Sequence, residues 1–241
     1  MSYKFDWSIL WGDSGLLLLD GMVVTLKLVG WSLTFALILG VIAGVCRWAG
    51  GRVLSPVTWA YVEFVRNTPL LVQILFWYFS AAYILPKPAV LWLRDTGFEF
   101  TSVVMALAIY HGAFVAEIVR AGLNAIDRGQ FDASRALGLG FVKMMGLVVL
   151  PQAFRIVVPP LSNETVSLTK NTALALAVGV TEIAYQTKYI ESYTFRGIEA
   201  LAAATVLYLV ICLGLTGLGH LASLRLSRHI GKKHAVGTSL E

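Results

Sequence analysis

Two stretches of this 241-residue chain set ionisable side chains inside otherwise apolar sequence. The later one, residues 150–175, reads LPQAFRIVVPPLSNETVSLTKNTALA. On a helix, Asn163, Ser167 and Lys170 fall at i, i+4 and i+7, while Glu164, Ser167 and Asn171 fall at i, i+3 and i+7. All five therefore share one face, with Thr165 and Thr172 near its edges. Val166, Leu168, Ala173, Leu174 and Leu176 occupy the others. Such a stripe suits the binding of a zwitterion. Lys170 can meet a carboxylate, Asn171 and Thr172 can donate hydrogen bonds, and Glu164 can meet an ammonium group.

The earlier stretch, YVEFVRNTPLLVQILFWYF at 61–79, offers a companion. Glu63 and Arg66 are one turn apart, and Gln73 extends their face. Pro69 lacks an N–H and crowds the preceding turn, so a helix here bends beside Asn67 and Thr68. The backbone groups freed by the bend need partners, which a water-filled cavity holding a zwitterion could supply. Broken helices at mid-membrane often mark binding sites in transporters. Arg66 and Lys170, two cations against one central anion, favour an acidic amino acid over a basic one.

Each residue also has a plainer reading. Arg66 can pair with Glu63 on its own helix, and Lys170 can pair with Glu164 or extend its charge outward. Glu117 and Arg120 read as a structural pair, and His111 as a buried histidine satisfied by its neighbours. Asn163-Glu164-Thr165 matches a glycosylation sequon, but within a span it has no access to the modifying machinery. Cys46 and Cys212 read as small apolar core residues, far from any CxxC or His partner. No metal site is expected.

These residues must be held by membrane helices. The chain is 57% hydrophobic and only 14% charged, with a mean hydropathy of +0.74. A soluble domain carries roughly a quarter charged residues. About 20 apolar residues cross a bilayer core, and the pattern predicts an all-α polytopic protein of about five spans, near 22–46, 57–85, 101–124, 153–180 and 199–224. In the first span Ala36, Gly40 and Gly44 recur every fourth residue, a small-residue face suited to close helix contact.

Lys and Arg orient these spans. Eleven of the nineteen, among them Arg47, Arg52, Arg128, Arg135 and Lys143, fall on one side, and five, including Lys87 and Lys188, on the other. That bias puts the loop at about 125–148 and a basic tail, 225–241, in the cytoplasm. The N-terminus is then extracytoplasmic. Residues 1–21 lack the basic start and apolar run of a cleavable signal and read as an interfacial segment, with Trp7 and Trp11 at headgroup depth. Residues 22–224 form the transmembrane domain.

The cytoplasmic loop contains GQFDASRALGLG at 129–140, a helix-compatible run bracketed by glycines. From Asp132 the chain continues DASRALGLGFVKMMGLVVLP. This resembles the signature loop of bacterial ATP-binding-cassette importer permeases: EAA, three residues, Gly, nine residues, an aliphatic, one residue, Leu-Pro. Asp132-Ala133-Ser134 stands for EAA, Gly138 for the glycine, Val148 for the aliphatic and Leu150-Pro151 for the end. VEFVRNTPLLVQ, AEIVRAGLNAIDRGQ, the 150–175 stretch and YQTKYIESYTFRGIEA resemble the polar amino acid branch. KNTALALAVGV is similar to the glutamate/aspartate importers.

The resemblance implies a type I ABC importer permease fold with a cytoplasmic coupling helix. Gly129, Gln130, Asp132, Ala133, Ser134, Arg135 and Gly138 would dock on the ATP-hydrolysing subunit. No GxxxxGK[ST] phosphate loop is present in this chain, so ATP and Mg belong to that partner. Other implied partners are a second permease subunit, expected to be a paralogue with an identical chain as the alternative, and an extracytoplasmic amino-acid-binding protein. The expected substrate residues are Arg66, Asn67, Thr68, Asn163, Glu164, Ser167, Lys170, Asn171 and Thr172, for glutamate or aspartate. The alternative is a basic amino acid, glutamine or histidine in the same importer class. An ion-coupled carrier would use Glu164 or Glu117 for protons, but no inverted repeat supports it. A membrane enzyme needs convergent acid/base groups, and His111 and Glu117 do not share a helical face. No catalytic residue and no cofactor are expected in this chain.

Overall fold

The computed structural model describes residues 4–95 and 97–234, and helices are its only regular elements among them. A 3₁₀ turn, Trp7–Trp11, comes first, with the Asp6 carboxylate accepting from the Ser8 amide at 3.0 Å. Helix α1 follows at once, Asp13–Ala49, so it starts well before residue 22, where apolarity alone begins the first span. Then come α2 (Gly51–Arg66), α3 (Leu70–Ile84), α4 (Lys87–Asp95) and α5 (Phe98–Asn124). A short α6 (Arg128–Ala136) precedes a long rod made of α7 (Phe141–Met144), a π-helical turn (Met145–Val149), α8 (Leu150–Asn171) and a 3₁₀ segment (Thr172–Val178). Helices α9 (Ile183–Thr194) and α10 (Gly197–His234) complete the description.

Among the described residues four rods are long and apolar enough to cross a membrane: Asp13–Ala49, Phe98–Asn124, Phe141–Val178 and Gly197–Leu226. The expected second span is instead two helices, of which only Leu70–Ser80 is a short apolar stretch. The break lies at Asn67, Thr68 and Pro69, where the proline predicts it. Pro159 and Pro160, by contrast, stay within α8. Two short helices, α4 and α9, lie between the predicted spans.

The core is organised on α5, whose buried face includes Val103, Leu107, His111, Gly112, Val115 and Val119. Helix α1 lies against it through Ala36, Gly40 and Gly44, all buried. A Cβ on Gly40 would sit 2.5 Å from Val115 Cβ and 2.7 Å from the Gly112 carbonyl oxygen, and one on Gly44 would sit 2.6 Å from the Ala116 carbonyl oxygen. The small-residue stripe therefore lets two backbones approach without a layer of side chains between them. Leu28, Leu70, Ile74, Val104 and Ala175 join α1, α3, α5 and the 3₁₀ end of the long rod in one apolar cluster. Facing outward are Trp31, Phe35, Val57, Phe64, Phe79, Val206 and Leu213, each exposed. That is the inverse of a soluble protein's surface and fits a lipid-facing wall.

Candidate functional site

The polar stripe on α8 forms as its periodicity predicts. Asn163, Ser167, Lys170 and Asn171 line a cavity of about 310 Å³, together with Val166 and with Thr216 from α10. Lys170 is exposed and makes no ion pair among the described residues. Glu164, six residues earlier on α8, is absent from the cavity wall. Its Oε1 lies 2.5 Å from Nδ1 of His111, which α5 buries to 1% exposure. The other ring nitrogen of His111 lies 3.2 Å from the amide nitrogen of Asn171. His111 thus bridges two residues of the stripe from a neighbouring helix. A larger apolar groove, about 750 Å³, runs between the N-terminal turn and α10 and is lined by Trp7, Trp11, Leu16 and Val206. It lacks the convergent polar groups of a substrate site.

The end of α2 approaches the same region. The guanidinium of Arg66 stands 5.1 Å from the centroid of the Phe114 ring, a cation–π contact. Tyr110 on α5, whose ring centroid is 5.1 Å from that of Phe114, is within electrostatic reach of both Arg66 and Glu164. Arg66 does not pair with Glu63, whose carboxylate lies 3.9 Å from Arg47 and 3.3 Å from the Asn67 amide nitrogen. The expected structural pair is present: Arg120 Nε donates to both oxygens of Glu117, at 3.1 and 3.2 Å. Arg47 of α1 also closes on Glu117, so one carboxylate ties two cations on two helices.

The backbone groups freed at Pro69 are satisfied from within. Asn67 Nδ2 donates to the Glu63 carbonyl at 2.7 Å, and Thr68 Oγ1 donates to the Phe64 carbonyl at 2.6 Å. Gln73 Nε2 reaches back to the Val65 carbonyl at 2.9 Å. No zwitterion is needed there to complete the hydrogen bonds. Thr172 is likewise turned inward, fully buried, with its hydroxyl on the Thr169 carbonyl at 2.7 Å.

The loop after α5 presents a separate feature. Asp127 caps α6 by accepting from the Gly129 amide at 2.6 Å. At the other end the Gly138 amide donates to the Arg135 carbonyl (2.9 Å) and the Leu139 amide to the Ser134 carbonyl (3.0 Å), with Gly138 at φ 75°. This is a Schellman closure, and its left-handed residue is the glycine. Ser134 is 3% exposed and bonds the Gln130 carbonyl at 2.6 Å. Asp132 and Arg135 face outward, paired at 3.6 Å with side chains 75% and 69% exposed. The helix is thus pinned on one side and open on the other.

Residues 36–228 match the family described as "Binding-protein-dependent transport system inner membrane component". The chain belongs to this family of permeases. It is 35% identical to the glutamine transport system permease protein GlnP of Escherichia coli (strain K12), over 88% of this chain and 94% of that one. It is also 35% identical to the glutamate transport system permease protein GluC of Corynebacterium efficiens, over 89% of this chain and 96% of that one. A crystal structure of an amino acid ABC transporter with histidines superposes with a TM-score of 0.80 at 31% identity, covering 92% of this permease and all of that chain. The fold is the type I ABC importer permease fold, and this protein is an amino acid permease subunit, a transport component rather than an enzyme.

Of the substrate residues expected from sequence, the permease brings Asn163, Ser167, Lys170 and Asn171 to one cavity and sets Arg66 apart from its lining, against Phe114 of α5. Asn67, Thr68 and Thr172 serve their own backbones. Sequence reasoning did not link His111 to the stripe, and it omitted Thr216. The first lies 53 residues from its partner Glu164, and no helical periodicity connects them. The available signal was that an ionisable group at membrane depth has a partner worth naming.

Proposed function

We propose that this permease carries an acidic amino acid, glutamate or aspartate, into the cytoplasm by alternating access. The observation that carries this reading is the charge imbalance at the site. Neither Lys170 nor Arg66 forms an ion pair among the described residues, Arg66 being only within electrostatic reach of Glu117, whereas Glu164 is engaged by His111. Any amino acid's α-carboxylate can use one cation. A second unmatched cation at membrane depth is costly unless the cargo brings a second carboxylate. Relatives named for glutamine and for glutamate stand at the same 35% identity, so the substrate is argued from charge. In this reading Arg66 and Lys170 meet the two carboxylates. Asn163, Ser167 and Asn171 offer neutral polar atoms to the ammonium group, with Asn67, Thr68 and Thr172 shaping the site from behind.

Energy comes from partner nucleotide-binding subunits that hold ATP and Mg. They dock on α6 through the exposed side of Gly129–Gly138, and their closure pulls the helix. A second permease, a paralogue of this chain, completes the pathway, and an extracytoplasmic binding protein delivers the cargo. The N-terminus lies outside and the C-terminus in the cytoplasm of the inner membrane, as the Lys/Arg bias supports.

The test is reconstitution with the partner permease, ATPase and binding protein in proteoliposomes, reading uptake of labelled glutamate. ATP-dependent uptake competed by aspartate alone, and lowered at least about thirtyfold in Lys170→Ala for a lost contact of about 2 kcal/mol, supports the reading. Competition by arginine, histidine or glutamine overturns the acidic assignment. Uptake without ATP overturns the mechanism.

A further inference from the structure

We propose that His111 is a specificity-determining positioning residue: it withdraws the Glu164 carboxylate from the pathway and fixes which amide atom of Asn171 the cargo meets. The inference rests on the acidic-cargo reading and deepens it. Three observations meet at this ring. Glu164 belongs to the polar stripe, yet its Oε1 is 2.5 Å from His111 Nδ1 and it is missing from the cavity wall. Asn171 does line the cavity, and its amide nitrogen is 3.2 Å from His111 Nε2. The ring itself is 1% exposed, braced by Tyr110 at 5.2 Å and Phe114 at 6.4 Å between centroids, so it cannot swing out to cargo.

The consequence is chemical. A carboxylate free to enter the cavity would stand on the same rod six residues before Lys170 and lower the net positive charge that an anionic cargo needs. A buried imidazole that donates Nδ1–H to Glu164 holds that carboxylate on the α5 side. Its other nitrogen engages one end of the Asn171 amide, and so the opposite end of that amide faces the cavity. Lys170 is left as the charged group on the cavity wall. His111 touches no cargo, yet it decides what charge the cargo sees.

The test uses the reconstituted complex with its binding protein and measures KM and the maximal rate separately for glutamate, with arginine as competitor. The variants are His111→Gln, His111→Phe and the double variant His111→Phe with Glu164→Gln. Release of Glu164 in His111→Phe is expected to raise the glutamate KM about tenfold, with the maximal rate within roughly twofold, and to make arginine a better competitor by a similar factor. The double variant, with no carboxylate to release, is expected to recover most of the glutamate KM. His111→Gln, which keeps one donor, is expected to fall between. Equal losses for both amino acids, or a double variant no better than His111→Phe, would overturn the proposal by reducing His111 to a packing residue. The preference of the unmodified complex reports separately on the acidic-cargo reading. A carrier that prefers glutamine, yet still gains arginine competition in His111→Phe, would sink that reading and keep the role of His111.

Discussion

Two sets of charged side chains sit in this helical bundle and are treated in opposite ways. At the end of α5, Glu117 lies between Arg120 of its own helix and Arg47 of α1, with side chains 13–31% exposed and Glu63 a further 3.9 Å from Arg47. Every charge in that set has a partner in the same chain. Elsewhere, Arg66 rests on an aromatic ring and Lys170 faces a cavity, neither in an ion pair among the described residues. Both sets interrupt apolar sequence, but only the second leaves charge for something else to meet. Self-paired charges hold helices together, and unmatched charges define a path.

The largest effect expected from breaking that comparison is on the paired set. Glu117→Gln leaves two guanidiniums side by side with only Glu63, 3.9 Å from Arg47, to offset them among the described residues, at a cost of about 2–3 kcal/mol, between the surface and fully buried limits for losing one partner. The purified permease is expected to melt several degrees lower in detergent. Lys170→Ala removes a side chain without an ion partner, so its melting point is expected to stay near that of the unmodified protein while uptake falls. If both variants melt alike, the distinction between structural and pathway charges fails.

A second way to sharpen it is through α1, which the paired set helps clamp to α5. Gly40→Ala puts a Cβ 2.5 Å from Val115 Cβ, so the helices must separate, at about 1–3 kcal/mol. Gly30→Ala on the same helix has nothing within 4 Å and an intact helical backbone to favour it. Melting curves of the two variants are expected to diverge, Gly40→Ala falling and Gly30→Ala holding or rising. Equal behaviour would mean that the Ala36, Gly40 and Gly44 stripe does not set the seam.

What could be read in advance followed from local rules. Apolar run length found the long rods, Pro69 gave the break, and period 3.6 put Asn163, Ser167, Lys170 and Asn171 on one face. The bounds of the first span were short because one charge, Asp20, interrupts the apolar run after Leu16–Leu19 while the chain stays helical. Contacts between distant segments were out of reach of such rules. Arg66 bypassing Glu63 for Phe114, and His111 taking Glu164 from Lys170, depend on how α2, α5 and α8 cross. The Gly40 stripe was visible as spacing, but only the observed approach to Gly112 and Val115 shows that it is a contact.

The smallest expected effect concerns the third region, the loop that stands apart from both charge sets. Gly138 has no atom within 4 Å of where a Cβ would go, so Gly138→Ala meets no steric obstacle. It does force an L-residue to hold φ near 75°, at about 1 kcal/mol. The Schellman bonds to Arg135 and Ser134 then loosen, and the last turn of α6 is ordered about fivefold less strongly against its frayed form. If α6 transmits the ATPase stroke, uptake per ATP hydrolysed is expected to drop by up to that factor. Gly140→Ala, where φ is −65° and the surroundings are equally open, is the matched control and is expected to leave coupling unchanged. Equal losses in both would point to loop flexibility in general. A loss confined to Gly138→Ala ties coupling to the left-handed closure of one short helix.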